Sequence, residues 1–392
     1  MDDLLIVGAG PAGAVAAAVA ARAGARVRMV DRAAFPRDKL CGDTINPGTL
    51  ALLRRLNLAG PVEPRSLRID GMVVTGEGGV SIEGRYPAGL HGLALTRRDL
   101  DWTLIQEAVK AGAIFECGVV VRAPVVTERR GGFPLVDGVT VGAAGSAHRL
   151  RARVTIGADG RRSALAFGLG LARHPGRPKR WAIGAYFGDA GGEGSLGEMH
   201  IRRGRYIGVA PVAGGATNVC LVQPIDAGGL RDPEAVLRRE LAADPLLRDR
   251  FAGGRLVGPP VVLGPLAVDA VDRAVDGLLL AGDAAGFIDP MTGDGLRFAV
   301  SGGELAAAAA LEALEHGWPG VHARLALARR REFAAKWRFN RALRALVASP
   351  AALRLAAAGA GFAPGLVRAL VARAGDCDLA DVARRTAAAK PC

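Results

Sequence analysis

Three glycines near the start of the chain have the spacing of a phosphate-binding turn. Gly8, Gly10 and Gly13 follow a short apolar run at residues 4–7 and precede an alanine-rich segment at residues 14–24. A strand, a glycine turn and a helix in this order aim free backbone N–H groups and the positive end of the helix dipole at a phosphate. Gly8 permits the tight turn, Gly10 lets a pyrophosphate approach the backbone, and Gly13 allows close helix–strand packing. The spacing therefore predicts a nucleotide cofactor.

The segment that follows completes a dinucleotide-binding unit. Residues 25–31 predict a second strand that ends at Asp31, eighteen positions after Gly13. A carboxylate at this place can accept hydrogen bonds from a ribose. Together these features predict a Rossmann βαβ unit that opens the chain, without distinguishing NAD from FAD. The residues predicted to contact the dinucleotide here are Gly8, Gly10, Pro11, Ala12, Gly13, Asp31 and Arg32.

A second glycine-rich turn lies far downstream, between the apolar run at residues 278–281 and a helix predicted from Gly295 to about Leu314. It resembles the second FAD motif of the glutathione-reductase-like flavoproteins. The resemblance implies that Asp283 binds the ribityl chain and that Pro290 lies near the isoalloxazine. The N–H groups at residues 293–296 would face N1 and O2 of the ring, where a helix N-terminus stabilises negative charge. The residues implicated are Gly282, Asp283, Pro290, Gly293, Asp294, Gly295 and Leu296.

Two further segments resemble parts of the same flavoproteins. Asp159 and Gly160 end a β run before a helix and resemble their DG motif. Arg97 stands four residues before Asp101 at the start of a predicted helix. It resembles their recurrent arginine near the FAD phosphates, and Arg98 is the alternative. Together with the two glycine-rich turns, these segments indicate that the cofactor is FAD.

A segment after the second strand carries the leading candidate for an active-site side chain. Residues 35–43 have the sequence FPRDKLCGD. They resemble the (F/P)-R-x-K-x-C-G segment of the geranylgeranyl reductase family, flavoproteins that saturate isoprenoid C=C bonds. The resemblance implies that Arg37, Lys39 and Gly42 adjoin the cofactor and that Cys41 faces both the flavin and the substrate. A thiol there can donate a proton to a substrate carbanion or shape the pocket, whereas an isolated cysteine is more often a small buried hydrophobe.

The predicted substrate segment departs from that family. Its members carry a PxxYxWxFP lipid-binding motif, and the nearest equivalent here is RGRYIGVAP. Tyr206 and the last proline remain, but Gly208 and Ala210 stand where the motif has Trp and Phe. Because two large side chains are lost, we expect a wider pocket and a bulkier or differently shaped substrate. Tyr206 and His200 are candidates for substrate contact, with packing or surface roles as alternatives.

The cysteines and the hydropathy pattern narrow the class of protein. The five cysteines form no CxxC pair, and the six histidines do not cluster near them. This argues against a disulfide framework and a structural zinc site, and it favours a reducing cytoplasm and no metal. The longest apolar runs are too short for a transmembrane helix.

Positive charge is concentrated towards the C-terminus. The formal charge is +13, and residues 320–373 contain eleven Lys or Arg and one acid. One interpretation is a set of helices packed on the core with their arginines in solvent. Another is peripheral contact with an anionic membrane, because residues 329–347 mix arginine with aromatic and leucine side chains. A nucleic-acid partner is not expected, since no recognition module accompanies the charge, and the oligomeric state is left open.

The order of predicted elements indicates an α/β fold with a discontinuous arrangement of domains. We expect a Rossmann-type FAD-binding domain, an inserted mainly β substrate domain and a basic helical C-terminal region. The predicted FAD-binding domain comprises residues 1–63, 91–175 and 265–318, the substrate domain residues 64–90 and 176–264, and the C-terminal region residues 319–392.

These observations predict an FAD-dependent oxidoreductase that acts on a hydrophobic small molecule. The favoured chemistry is hydride transfer from flavin N5 to a C=C bond of an isoprenoid-like or other lipophilic substrate. The alternative is a single-component flavin monooxygenase that hydroxylates or epoxidises a hydrophobic or aromatic substrate through a C4a-hydroperoxide. A non-catalytic flavin-binding protein is a third class. Since no second dinucleotide-binding motif is evident, NAD(P)H is expected as a transient electron donor, with a protein donor as the alternative.

Overall fold

The structure of the protein is a computed structural model, which describes residues 2–128, 133–142, 146–176, 180–190, 194–224, 230–271, 273–287, 291, 293–349, 351–352 and 364–380. Its strands are β1 Asp2–Val7, β2 Val27–Asp31, β3 Thr44–Ile45, β4 Leu67–Ile69, β5 Gly71–Thr75, β6 Ser81–Arg85, β7 Gly92–Ala94, β8 Ile114–Cys117, β9 Val121–Glu128, β10 Pro134–Val141, β11 His148–Gly157, β12 Ala172–Arg173, β13 Arg180–Gly188, β14 Leu196–Arg202, β15 Arg205–Pro211, β16 Thr217–Pro224, β17 Arg255–Leu256, β18 Val261–Leu263, β19 Asp269–Ala270 and β20 Leu278–Leu280. Its helices are α1 Pro11–Arg22, α2 Pro47–Arg55, α3 Arg97–Lys110, α4 Ala164–Gly168, α5 Pro233–Ala242, α6 Arg248–Phe251, α7 Gly295–His316, α8 Val321–Ala348 and α9 Pro364–Ala374.

The first sheet contains β8, β2, β1, β11, β10 and β9 in that order, with β20 also paired to β11. Strands β8, β2, β1, β11 and β20 are parallel, and β9 and β10 extend one side as antiparallel strands. Val7 pairs with Gly157 of β11 and with Val30 of β2. The carboxyl ends of these three strands therefore meet at one edge, which is where open α/β sheets bind their ligands.

Alanine and glycine allow α1 to pack closely between α3 and α7. Ala14, Ala16 and Ala17 on α1 are fully buried. A Cβ on Gly303 of α7 would lie only 2.3 Å from the carbonyl oxygen of Ala12. The two helices thus touch through backbone atoms, and this contact fixes the first turn of α1 beside the glycine turn.

The second sheet contains β17, β13, β16, β15, β14, β5 and β6 in that order, with β18 also paired to β13. Its pairs are antiparallel except for β14 and β5, which run parallel. Alternate residues of a strand face opposite sides, and here the two sides have different partners. Ile183, Ile207 and Leu221 share a core with α5 and α6. Tyr206 and Val222 belong to another cluster, which faces the first sheet's turns.

The predicted fold class is confirmed. A Rossmann-type sheet with helices carries a second, mainly β sheet, and long helices follow. Strands β5 and β6 lie in the second sheet, although they precede most of the first sheet in the chain. A third small sheet is formed by β3, β7 and β4, and β4 leads directly into β5 of the second sheet.

Helix α8 differs from a simple solvent-facing basic helix. Arg330, Arg331 and Arg338 are exposed, but Lys336 is only 5% exposed. None of the helices within the described residues is long and apolar enough to cross a membrane.

The aromatic side chains of α8 are partly engaged inside the protein. Phe333 is buried and packs edge-on against Phe298 of α7, with ring centroids 5.1 Å apart. Trp337 lies beside both rings. These two residues are therefore less available to a lipid surface than the sequence suggested, and membrane contact through α8 stays a prediction.

Candidate active site

One cavity lies between the carboxyl edge of the first sheet and the Tyr206 side of the second sheet. Its lining from the elements around the first sheet, called the first domain below, includes Gly10, Pro11, Ala12, Lys39, Cys41, Gly42, Arg97, Gly160, Arg161, Gly282, Asp283, Gly293, Gly295 and Leu296. Its lining from the second sheet includes Met72, Ala182, Met199, Tyr206, Gly208, Ala210, Cys220 and Val222. The predicted cofactor motifs and an apolar sheet face thus open into the same space.

The part of the cavity beside Gly10 is positively charged. A Cβ on Gly10 would lie 3.9 Å from Nη2 of both Arg37 and Arg97. Arg97 donates two hydrogen bonds of 2.7 and 2.8 Å to Asp101, and Arg37 lies 3.1 Å from the same carboxylate. One carboxylate therefore serves two guanidinium groups. Because Nη1 of Arg37 is buried and has no hydrogen-bond partner among the described residues, the site suits an anion such as a pyrophosphate.

Two further cations line the cavity around Asp283. Burial lowers the pKa of Lys39 to about 8, and the positive charge of Arg97 adds to this effect. Burial also lowers the pKa of Arg161 to about 10. Within the described part of the chain, Nε of Arg161 is buried without a hydrogen-bond partner. A bound anion would satisfy these groups and favour their charged forms.

The structure brings most of the predicted cofactor residues to this cavity. Those that line it are Gly10, Pro11, Ala12, Lys39, Cys41, Gly42, Arg97, Gly160, Gly282, Asp283, Gly293, Gly295 and Leu296. Those that do not are Gly8, Gly13, Asp31, Arg32, Arg37, Asp159 and Asp294. Pro290 lies outside the described residues, so its predicted place near the isoalloxazine stays a prediction.

Backbone contacts require glycine at two positions of the first turn. Gly8 has a φ of +100°, and a Cβ there would lie 2.4 Å from the carbonyl oxygen of Ala158. A Cβ on Gly13 would lie 1.8 Å from the carbonyl oxygen of Gly8. Asp31 accepts a hydrogen bond of 2.8 Å from the N–H of Ala9. These contacts hold the turn in shape, and the ribose contact of Asp31 stays a prediction.

Three of the predicted cofactor-binding residues do not line the cavity and have other surroundings. Asp159 accepts a hydrogen bond from the N–H of Ala164 and so holds the start of α4. Asp294 pairs with Lys336, with its Oδ1 3.0 Å from Nζ. Arg32 is exposed at the surface. Their direct contact with a dinucleotide stays a prediction.

Cys41 lines the cavity between the cationic segment at Lys39 and the short strand β3. Burial raises the pKa of its thiol, and the guanidinium of Arg97 opposes this shift. The thiol is therefore protonated at neutral pH. A protonated thiol facing the cavity can act as a general acid.

A buried polar cluster fixes the turn that carries Cys41. The Asn218 side chain donates hydrogen bonds to the carbonyl oxygen of Cys41 at 3.1 Å and to Oδ2 of Asp43 at 2.6 Å. The hydroxyl of Tyr186 donates to the same oxygen at 2.5 Å. Burial raises the pKa of Asp43 to about 7, although the hydrogen bonds from Tyr186 and Asn218 lower it. Since Asn218 and Tyr186 belong to the second sheet, the cluster joins that sheet to the turn of the first domain that carries Cys41.

The predicted wide pocket has a structural basis on β15. Tyr206, Gly208 and Ala210 all line the cavity. A Cβ on Gly208 would meet the Cε atom of Met199 and the carbonyl oxygen of Cys220 only at 3.9 Å. The space that larger side chains would fill is therefore part of the cavity.

His200 has a structural environment. It is 3% exposed, and its ring nitrogens lie 2.9 Å from Oγ1 of Thr75 and 3.0 Å from Oε2 of Glu198. It is not among the residues that line the cavity. Packing, which the sequence left open as an alternative, accounts for its position.

Several charged residues of this site were not predicted from the sequence, among them Arg161, Asp43 and Glu198. Arg161 directly follows the DG pair, and Asp43 ends the cysteine segment. Both stand inside motifs that were recognised, so their position was the available signal. Tyr186 and Asn218 lie within β strands and carry no motif; only the pairing of β13 with β16 brings them together.

Comparisons with known proteins agree with this site. A family model described as an FAD binding domain matches residues 1–336. The menaquinone reductase of Mycolicibacterium smegmatis is 33% identical over 324 residues, covering 78% of this chain and 75% of that protein. Digeranylgeranylglycerophospholipid reductase 2 of Methanopyrus kandleri is 31% identical over 336 residues, covering 80% and 78%. The chain belongs to the geranylgeranyl reductase-like FAD-dependent oxidoreductases.

The predicted family and the predicted FAD cofactor of this oxidoreductase are thereby confirmed. Among solved structures, the myxobacterial chondrochloren halogenase CndH aligns with a TM-score of 0.80 at 19% identity, over 97% of this chain and 96% of that one. At this identity the likeness concerns the fold alone.

The residues of this oxidoreductase fit FAD on their own chemistry. Nη1 of Arg37, which has no hydrogen-bond partner in the part of the chain that the structure describes, suits the pyrophosphate together with Arg97 beside the open side of Gly10. The N–H groups at the start of α7 suit the electron-rich edge of a flavin. Residues 293 and 295 line the cavity at this place.

We expect Gly10→Val to abolish FAD binding while leaving the fold intact. The added methyl groups have room in the protein but would occupy the space between Gly10 and the two guanidinium groups. The measurement is the flavin absorbance of the purified variant, with circular dichroism as the check on folding. Gly60→Val is the matched control, because a Cβ there meets no atom within 4 Å. A folded Gly10→Val variant with the normal FAD content would contradict the assignment.

We expect Asp43→Asn to change how stability depends on pH. The folded protein holds the Asp43 proton more tightly than the unfolded chain, whose carboxyl has the ordinary pKa of 3.8. The wild type therefore loses free energy of unfolding as pH rises through this interval, by about 1.4 kcal/mol per unit of pKa difference. Relative to the variant, the wild type should be less stable at about pH 8 than at about pH 5. Urea unfolding measures this difference.

Asp38→Asn is the control for this prediction, because the side chain of Asp38 is 59% exposed. Its stability relative to the wild type should change little between the two pH values. If Asp43→Asn behaves in the same way, Asp43 is not a carboxyl whose proton the fold retains.

Proposed function

We propose that this oxidoreductase reduces C=C bonds of a lipophilic, isoprenoid-like substrate. The observation that carries the proposal is the shared cavity, in which the cationic FAD site adjoins an apolar sheet face and the thiol of Cys41. The names of the two relatives specify menaquinone and a digeranylgeranyl glycerophospholipid. Both are lipophilic, as the lining of this cavity requires.

The apolar part of the cavity favours hydrocarbon over polar ligands. Its lining includes Met72, Met199, Val222, Leu263 and Leu266. Each CH₂ group buried there contributes about 0.8 kcal/mol to binding. A polar ligand without hydrogen-bond partners would lose free energy in the same place. The open side of Gly208 adds width, so a substrate broader than a single extended prenyl chain fits this account.

The chemistry of the chain's own residues matches a reduction. When bound and reduced, FAD supplies a hydride for one carbon of the double bond. The other carbon needs a proton, and the protonated thiol of Cys41 lies in the same cavity. Asn218 holds the backbone of this residue, which fixes the point from which the side chain enters the cavity. A lipophilic substrate packed against the apolar lining would exclude water from the double bond, which limits competing protonation.

The electron donor belongs to the proposal as well. We propose NAD(P)H as a transient donor, which visits the flavin and leaves before the substrate binds. A single cavity serves both parts of the reaction in that case. NADH, NADPH and dithionite are therefore separate arms of the functional test.

The test supplies the holoprotein with each donor and analyses products by mass spectrometry. Isoprenoid lipids form one substrate panel, and phenols form the other. We expect isoprenoid products that gain two hydrogen atoms for each donor molecule oxidised. Products that gain an oxygen atom, with oxygen uptake in proportion, would instead establish a monooxygenase. A flavin that no donor reduces would establish a non-catalytic role.

We expect Cys41→Ser to retain FAD but lose turnover by a factor on the order of 10²–10⁴, the range for a lost general acid. Serine preserves the size of the side chain, while its hydroxyl is a far weaker acid than a thiol. The readouts are FAD content and the rate of lipid reduction. Cys117→Ser is the matched control, because Cys117 is exposed on β8. An unchanged rate in Cys41→Ser would reduce Cys41 to a packing role.

A further inference from the structure

Lys336 is buried within a helix whose other basic residues mostly face solvent. Its Nζ atom lies 3.0 Å from Oδ1 of Asp294 and 3.2 Å from Oδ2 of Asp376. It also donates hydrogen bonds to the carbonyl oxygens of Arg373 at 3.0 Å and Ala374 at 2.6 Å. A buried ammonium group with four such partners is fully satisfied. Removing it would leave two buried carboxylates without their main cation, which is strongly unfavourable.

The segment at residues 371–376, called the wall segment below, is held by Lys336 and reaches the cavity through one residue. Ala374 is among the lining residues. A Cβ on Gly84 of β6 would lie 2.1 Å from Cγ2 of Val371. The N–H of Gly48, at the start of α2, donates to the carbonyl oxygen of Gly375 at 2.9 Å. The wall segment therefore bridges the second sheet and the first domain.

The other partner of Lys336 lies at the cofactor side. Asp294 directly precedes α7, and its neighbours Gly293 and Gly295 line the cavity. Asp294 is 2% exposed and accepts a hydrogen bond of 2.9 Å from Nδ2 of Asn340 on α8. Helix α8 thus holds the turn at residues 293–296 from behind, through Lys336 and Asn340.

We propose that Lys336 is a positioning residue that couples the wall segment at residues 371–376 to the flavin turn at residues 293–296. Its ammonium group holds the wall closed against the cavity and keeps the N–H groups of the turn aimed at the cofactor. The part that concerns the cofactor rests on the proposed placement of the flavin beside residues 293–296. The part that concerns the wall rests only on the contacts of Lys336.

A second buried cation, on α7, contacts the same group of carboxylates as Lys336. Arg297, one turn into α7, is 4% exposed and pairs with Glu332 at 2.5 Å and with Asp376 at 3.7 Å. The cluster therefore contains two buried cations, two buried carboxylates and the partly exposed carboxylate of Glu332. Loss of Lys336 would leave Arg297 alone to balance Asp294, Asp376 and Glu332.

The experiment combines two readouts on Lys336→Met, which keeps most of the side-chain volume and removes the charge. Trypsin cleavage of the peptide bond after Arg373, followed by mass spectrometry, reports opening of the wall. The bond is a suitable probe because the Arg373 side chain is 41% exposed while Lys336 holds its carbonyl oxygen. Titration of apoprotein with FAD, followed by flavin fluorescence, reports the turn. We expect cleavage to accelerate and FAD affinity to fall, each by about tenfold or more.

Asp376→Asn separates the two parts of the proposal and also serves if Lys336→Met does not fold. It loosens the wall but leaves the pair between Lys336 and Asp294 in place. We therefore expect faster cleavage after Arg373 with nearly normal FAD affinity. Arg338→Met is the matched control on the exposed side of α8, and both of its readouts should equal those of the wild type.

Distinct results would overturn each part. Cleavage after Arg373 at the wild-type rate in both Lys336→Met and Asp376→Asn would overturn the proposal that Lys336 holds the wall segment. Faster cleavage in Lys336→Met with unchanged FAD affinity would overturn the coupling to the flavin turn. The role of Lys336 in holding the wall segment would still stand. A failure of the proposed reductase activity alone changes neither readout, so the two proposals fail independently.

Discussion

The hydrogen bonds of Asn218 are the contact on which the rest of the active site depends. One side-chain amide on β16 of the second sheet binds the Cys41 carbonyl oxygen and the Asp43 carboxylate of the first domain. Two sheets that only packed through apolar side chains could slide by fractions of an ångström at little cost. Directional hydrogen bonds in a buried place do not allow this, because each lost bond leaves an unsatisfied polar group. The backbone of Cys41 is thereby held where the cationic part of the cavity meets its apolar part.

Electrostatics divides the cavity into two regions with different tasks. Arg37 and Arg97 lie beside Gly10 and share the carboxylate of Asp101, so this region retains positive charge for a phosphate group. The face formed by β5, β14, β15 and β16 offers mainly methionine, valine and alanine side chains instead. A cofactor with charged phosphates would occupy the first region, and an uncharged lipophilic substrate would occupy the second. The charge distribution of the cavity therefore fits a charged cofactor beside a lipophilic substrate.

The sequence was most informative where backbone chemistry restricts the residue type. The turn at Gly8 and Gly13 could be predicted because close backbone contacts exclude any side chain there. The wide pocket could be predicted from Gly208, because a missing side chain next to a recognised motif leaves space. The cluster of Tyr186, Asn218 and Asp43 could not, since it depends on the pairing of distant strands. The same holds for Lys336, which looks like one more exposed basic residue until α9 is packed against it.

The central claim is that flavin and lipophilic substrate meet in one cavity and exchange a hydride there. A single-turnover experiment tests it most directly. The holoprotein is reduced in the absence of oxygen and mixed with a geranylgeranyl lipid, and the absorbance of oxidised flavin is followed in a stopped-flow instrument. The account predicts that the absorbance returns without oxygen, at a rate that saturates with lipid concentration, as a saturated product forms. Reduced flavin that is not oxidised by the lipid, and reoxidises only when oxygen is admitted, would contradict it.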